Sequence, residues 1–135
     1  MTCLLALDTY VELYHAGVIA LSEFVEMPRD NDILVRIIIK KDGRKIAYRS
    51  HREAATDFPV IACAVANKDD QWYVSVGARS GKAIENAETF TKEVIAGYTF
   101  SSNMRGSEVY RRHLAEVYTK RAVEEILAKN SEKGA

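Results

Sequence analysis

The chain has 135 residues, 47% of them hydrophobic, enough to close one core and too few for two ordinary domains. Lysine plus arginine and aspartate plus glutamate number 19 each, so no global field draws the molecule to nucleic acid or to an anionic membrane, and any basic site is local. Cys3 and Cys63 stand far apart with no CxxC and no histidine at ligand spacing, which argues against a disulfide framework and a zinc knuckle and fits a reducing, cytoplasmic setting.

MTCLLALDTY has no positive n-region, and its apolar run breaks at Asp8, so it does not read as a secretory signal. LLALDTY looks instead like the last turn of a helix without a lead-in. Val11 to Tyr14 and Val18 to Leu21 are short apolar runs around a turn at Gly17, which predicts a small hairpin or arm. SEFVEMPRDND follows as a polar connector. ILVRIIIKK and RKIAYRS, joined by Asp42 and Gly43, predict a second hairpin. Pro59 to Asn67 and Trp72 to Ala78, joined by KDDQ, predict a third, with Trp72, Val74 and Val76 on one face. The longest apolar stretch, PVIACAVA, falls far short of the ~20 residues that span a bilayer, so the expectation is a soluble protein.

From residue 80 onward the period changes from that of a strand to that of a helix. Ala83 to Ala96 carries Ile84, Ala87, Phe90, Val94 and Ile95 on one side and stops at Gly97. Ser107 is the expected N-cap of a long final helix whose buried stripe is Tyr110, Leu114, Val117, Tyr118, Ala122, Ile126 and Leu127. Its other face, with Arg111, Arg112, Glu116, Lys120, Glu124 and Glu125, mixes signs as a solvated face does, which argues against nucleic acid. Strands first and helices after predict an α+β fold, an antiparallel β-sheet of three to four strands packed on C-terminal helices and covered on one side.

No catalytic set assembles from these residues. GARSGKA has three residues rather than four between its glycines, and Ala83 stands where a phosphate loop needs a hydroxyl. His15, His51 and His113 are scattered, and neither a GxSxG elbow nor a cysteine beside a base appears. YRSHREAATDFPVIACAVAN stands apart, because it gathers Arg49, His51 and Arg52 just before Asp57. Two readings stay open there. The arginines pair with Asp57 and Glu53 while Asp57 braces its loop, or they face an anionic cofactor across a domain boundary.

DILVRIIIKK, IAYRSHREAATDFPVIACAVAN, WYVSVGARSGKA and NMRGSEVYRRHLAEVYTKRAVEEIL, in that order, resemble the C-terminal domain of the FAD-binding subunit of molybdenum hydroxylases, the group that includes xanthine dehydrogenase and carbon monoxide dehydrogenase. The likeness covers roughly residues 30 to 128. Its most specific parts are the stretch of Tyr48, Arg49, Asp57 and Phe58 and the helix start RGSEVYRRHLA, where Asn103 replaces the family's leading Asp. LLALDTYVELYHAGVIALSEFVE resembles the end of the preceding flavin domain, so the implied division is 1–28 as a remnant of that domain, an arm or hairpin, and 29–135 as the C-terminal-type α+β domain.

The resemblance implies that Ile33 and Leu34 pack beside the isoalloxazine and that Arg49, where many relatives have Lys, reaches the cofactor. Asp57 is then the anchor of the loop that presents Arg49, with Arg52 pairing nearby. It further implies FAD bound only together with a partner flavin domain, molybdenum and iron–sulfur subunits as further partners, and no catalysis by this chain alone. The rival expectation is a flavin-independent interaction or homo-oligomerisation module of the same fold.

Overall fold

The computed structural model describes residues 1–28, 31–77, 79–80 and 90–131. Helix α1 (Thr2–Ala6) leads into β1 (Tyr10–Leu13) and β2 (Gly17–Ala20), and a single turn, α2 (Leu21–Phe24), follows. Strands β3 (Leu34–Ile38), β4 (Lys45–His51), β5 (Ile61–Lys68), β6 (Gln71–Val76) and β7 (Arg79–Ser80) come next, then α3 (Phe90–Ala96) and α4 (Glu108–Ser131). They build two antiparallel sheets, in the orders β2-β1-β3 and β4-β5-β6-β7. The predicted α+β class, with antiparallel strands under a C-terminal helix, is the class observed.

The first hairpin forms as expected, Gly17 supplying a φ of +74° that a side chain would resist. The second does not. β3 pairs with β1, whereas all seven residues of β4 pair with β5. Asp32 shows why β3 goes where it does. Its carboxylate accepts the N–H groups of His15 and Ala16, both at 2.9 Å, and of Ile33 at 2.8 Å, clamping the β1–β2 turn to the start of β3. Those backbone donors, His15 foremost, hold the Asp32 carboxyl below the usual carboxylate range.

Gly43 still makes a left-handed turn at φ +77°, but the Asp42 carboxylate grips the Arg44 guanidinium at 2.7 to 3.1 Å, and the chain crosses from one sheet to the other. The Arg44 side chain is only 4% exposed and reaches back to the Ala6 carbonyl at the end of α1. One buried cation thus ties the first helix to the second sheet. The three-stranded sheet takes β1 and β2 from before residue 28 and β3 from after it.

The third hairpin is as predicted. Asp69 and Asp70 sit at φ +50° and +63°, the mirror-image turn that matches the twist of β5 and β6. β5 reads as an unbroken apolar run because both its faces are buried. Cys63 and Val65, with Trp72, Val74 and Val76 of β6, face α3 and α4, while Ala64 and Ala66 face α1 through Ala6. The sheet is therefore covered on two sides rather than the one expected, and small side chains toward α1 let that short helix lie close.

Ser107 caps α4, its Oγ accepting the Tyr110 N–H at 3.2 Å, while Ser102 Oγ accepts the Glu108 N–H at 2.8 Å. The buried stripe differs from the expected one. Ala115, Thr119, Ala122, Val123 and Ile126 are buried, Leu114 and Tyr118 partly so, and Tyr110 and Leu127 are exposed. Ala122 and Ile126 are buried as expected, but small residues at helical spacing bring α4 down onto the sheet, and a reading weighted toward large side chains misses Ala115 and Thr119. Of the predicted helix from Ala83, the part before Phe90 lies outside the described residues, as does most of GARSGKA. Gly97 follows α3 without left-handed backbone, and the end is closed by Gly97 and Tyr98 N–H groups on the Val94 and Ile95 carbonyls, each at 3.1 Å.

Cys63 offers a check on this packing. Burial pushes its thiol up to about 11, so at neutral pH it carries almost no thiolate, the reactive form. Iodoacetamide should label Cys3, which is only half-buried, well before Cys63, and Cys63 only on unfolding in urea. Equal labelling rates in native protein, followed by mass spectrometry, would place Cys63 outside the core.

Candidate functional site

The residues singled out by the sequence fall in two places. Leu34 opens β3 and Ile33 immediately precedes it, and both are exposed. Leu34 also borders a groove of about 420 Å³ between β1, α2 and β3, walled by Met1, Leu13, Phe24 and Met27. Asp32 is the only charged side chain lining it among the described residues, and that carboxylate accepts backbone N–H groups.

Arg49 lies on the other sheet. It is directly opposite Cys63 in the β4–β5 ladder, and facing residues of a ladder share a face, so its side chain rises toward α4. There Nη2 forms an ion pair with Glu125, and Nη1 donates to the Tyr48 carbonyl at 3.1 Å. Glu125 is shared with Lys129, and the hydrogen bond from Lys129, followed by the charge of Arg49, holds its carboxyl below the usual range. Asp57 stands beyond the strand end, in the loop. It accepts the Phe58 N–H at 2.7 Å and pairs with Arg105 Nε at 3.3 Å. Neither Arg49 nor Arg52 reaches it. Arg52 is exposed and has no partner among the described residues.

The sequence reading missed what His51 does. Its Nε2 lies 3.3 Å from the Tyr110 hydroxyl and its Nδ1 3.2 Å from the Tyr118 hydroxyl. A neutral imidazole has one N–H and one lone pair, so one tyrosine accepts and the other donates. The signal was present in two tyrosines about two helical turns apart on α4, but nothing in the sequence alone says that β4 runs beneath them. Arg111 was also read only as a charge on a solvated face. Its guanidinium holds the Ser101 carbonyl at 2.7 Å and the Asn103 side-chain oxygen, which in turn accepts the Arg105 N–H at 2.9 Å. Asn103 thus retains the acceptor oxygen that an Asp would supply. Gly106 completes this turn because a Cβ there would come within 3.2 Å of Val60.

For a flavin, these residues fit in part. Ile33 and Leu34 offer an exposed apolar flank, whereas Arg49 would have to leave Glu125 to meet a phosphate or a ring carbonyl. Among the described residues no group of three His, Cys, Asp or Glu side chains could hold a metal ion, and no helix is long and apolar enough to cross a membrane.

The α+β arrangement is one also found within polypeptides of oxidoreductases. Quinoline 2-oxidoreductase from Pseudomonas putida 86 matches 92% of this chain with a TM-score of 0.71 at 17% identity. Carbon monoxide dehydrogenase from Hydrogenophaga pseudoflava matches 92% with a TM-score of 0.63 at 21% identity, and the reconstituted enzyme from Oligotropha carboxidovorans 93% with 0.68 at 18%. At such identities the likeness establishes the fold. The chain spans about half the length of these neighbours, 54 to 55%. No family model and no curated protein matches the sequence.

Proposed function

We propose that this chain is the C-terminal domain of a FAD-binding subunit of the molybdenum hydroxylase type, the xanthine dehydrogenase and carbon monoxide dehydrogenase group. It completes a flavin site that a partner domain mainly builds, and it is not catalytic alone. The observation that carries this reading is the fold match over 92 to 93% of the chain to polypeptides of three such enzymes, reached independently of the ordered motifs that suggested the family. FAD in an enzyme of this kind passes electrons from iron–sulfur clusters to the final acceptor. The residues of this chain would wall the ring with Ile33 and Leu34 and set Arg49 near its oxygens, while Asp57 and Arg105 brace the loop after β4. Molybdenum and iron–sulfur subunits are the further partners, and the cytoplasm the expected compartment.

The test is flavin retention. The chain purified alone should be colourless, because its described residues include no glycine-rich loop to grip a diphosphate. Combined with the flavin domain of its own organism, it should retain flavin, and Arg49→Ala should weaken retention about tenfold, the worth of one charge-assisted hydrogen bond of about 1.5 kcal/mol. Arg49→Lys should recover most of that loss. Stoichiometric flavin on the isolated chain, or full retention by Arg49→Ala in an intact complex, would overturn the respective assignment.

A further inference from the structure

At one end of the second sheet, a cavity of about 290 Å³ opens between the start of β5, the end of β6 and the stretch joining α3 to α4. Val60, Ile61 and Phe100 give it apolar walls, Thr2 and Ser101 add polar ones, and Arg111 is the only charged side chain lining it among the described residues. Arg111 is set apart from its peers. The other partly buried arginines among the described residues, Arg44, Arg49, Arg105 and Arg112, each meet a carboxylate, those of Asp42, Glu125, Asp57 and Glu108 in turn. Arg111 meets none among the described residues. Its guanidinium holds two neutral acceptors, the Ser101 carbonyl and the Asn103 side chain, and its Nε is closed off from water without a hydrogen-bond partner. Withdrawing a cation from water without a counter-charge is costly, and buried donors are rarely left unpaired.

We propose that this cavity is a binding site for a small organic monocarboxylate with a compact apolar body, whose carboxylate gives Arg111 the counter-charge that the fold withholds. A guanidinium presents five N–H groups, of which two are engaged here, so donors remain for a carboxylate. The apolar walls would take the body of the ligand. A phosphate is the poorer fit, because it carries a charge of about −1.5 to −2 at neutral pH and a single guanidinium balances only part of that. The volume lies at the lower end of small-molecule sites, which run from about 300 to 1,000 Å³, and so suits a ligand the size of one ring. Ile33, Leu34 and Arg49 line no part of this cavity, so the site stands or falls apart from the flavin reading.

Benzoate is the probe, titrated into the full chain at neutral pH and low salt and followed by calorimetry and by amide chemical shifts. Benzamide serves as the uncharged isostere and inorganic phosphate as the bare anion. Benzoate should bind saturably, shift the Ile61, Gly77, Phe100 and Ser101 amides, and exceed both comparison ligands in affinity about tenfold or more, the worth of one charge-assisted hydrogen bond. Asn103→Asp keeps the acceptor oxygen and hands Arg111 a carboxylate of its own. It should therefore leave thermal unfolding unchanged or raised while lowering benzoate affinity about tenfold, and Arg111→Gln should lower affinity at least as far. Should Arg111→Gln fail to fold, Asn103→Asp decides the matter alone. No saturable binding of benzoate, equal binding of benzamide or of phosphate, amide shifts confined to another part of the fold, or undiminished affinity in Asn103→Asp would each overturn the site.

Discussion

Trp72→Ala is expected to destabilise the fold by about 3–5 kcal/mol, the usual result of emptying a buried tryptophan site. Trp72 is 4% exposed and shares its face of β6 with Val74 and Val76, beneath α3 and α4. Ala47, Ala115 and Ala122 of the same buried cluster are too small to fill the space by changing rotamer. A domain of this size has about 5–15 kcal/mol to lose. The urea midpoint should therefore fall by about a fifth or more, with an unchanged slope. A loss under about 1 kcal/mol would mean that the indole is solvated in the native state and that the core lies elsewhere.

The second large effect is expected from adding volume rather than removing it. Ala64 is fully buried between β5 and α1 and lies in one cluster with Ala6 and Ala66. Ala64→Leu has no room there, and overpacking of this kind costs about 1–3 kcal/mol. Its signature should be local as well as global. The α1 amides of Leu5 and Leu7, bonded to the Met1 and Cys3 carbonyls at 3.1 and 3.0 Å, should lose hydrogen-exchange protection before the β5 ladder does. Equal loss across both elements would show that α1 does not dock through its alanine.

Much of this architecture was legible because local chemistry and global fold agree. Asp69 and Asp70 dictate the β5–β6 turn, Gly17 the β1–β2 turn, and Ser107 the start of α4. The failures share a cause. Asp42 and Gly43 form a true turn, yet turn chemistry does not say which strand a chain will meet next, and Asp32 decided that from a distance. The helical stripe was misread in part because Ala115 and Thr119 contribute closeness rather than bulk. For the candidate site, residue types drew attention to the segment holding Arg49, His51 and Asp57, but partners were another matter. Which cation meets Asp57, and what His51 touches, depends on how α4 and the loop before it lie across β4. No spacing within one segment encodes that.

The docking of α1 on β5 bears on the order of events in folding. Ala6 rests against Ala64 and Ala66, so the earliest helix has nothing to settle on until a stretch some way down the chain has formed its hairpin. α4, which closes the opposite face, is later still. Contacts of such sequence separation slow folding, since the loop between partners must be closed before any contact is gained. During synthesis the apolar β5 segment would emerge before α4 exists to shield it, and for that interval it is the part of the chain most in need of a chaperone. Slowing translation just after the β5–β6 hairpin should therefore lower the soluble yield, whereas the same pause after α4 should not.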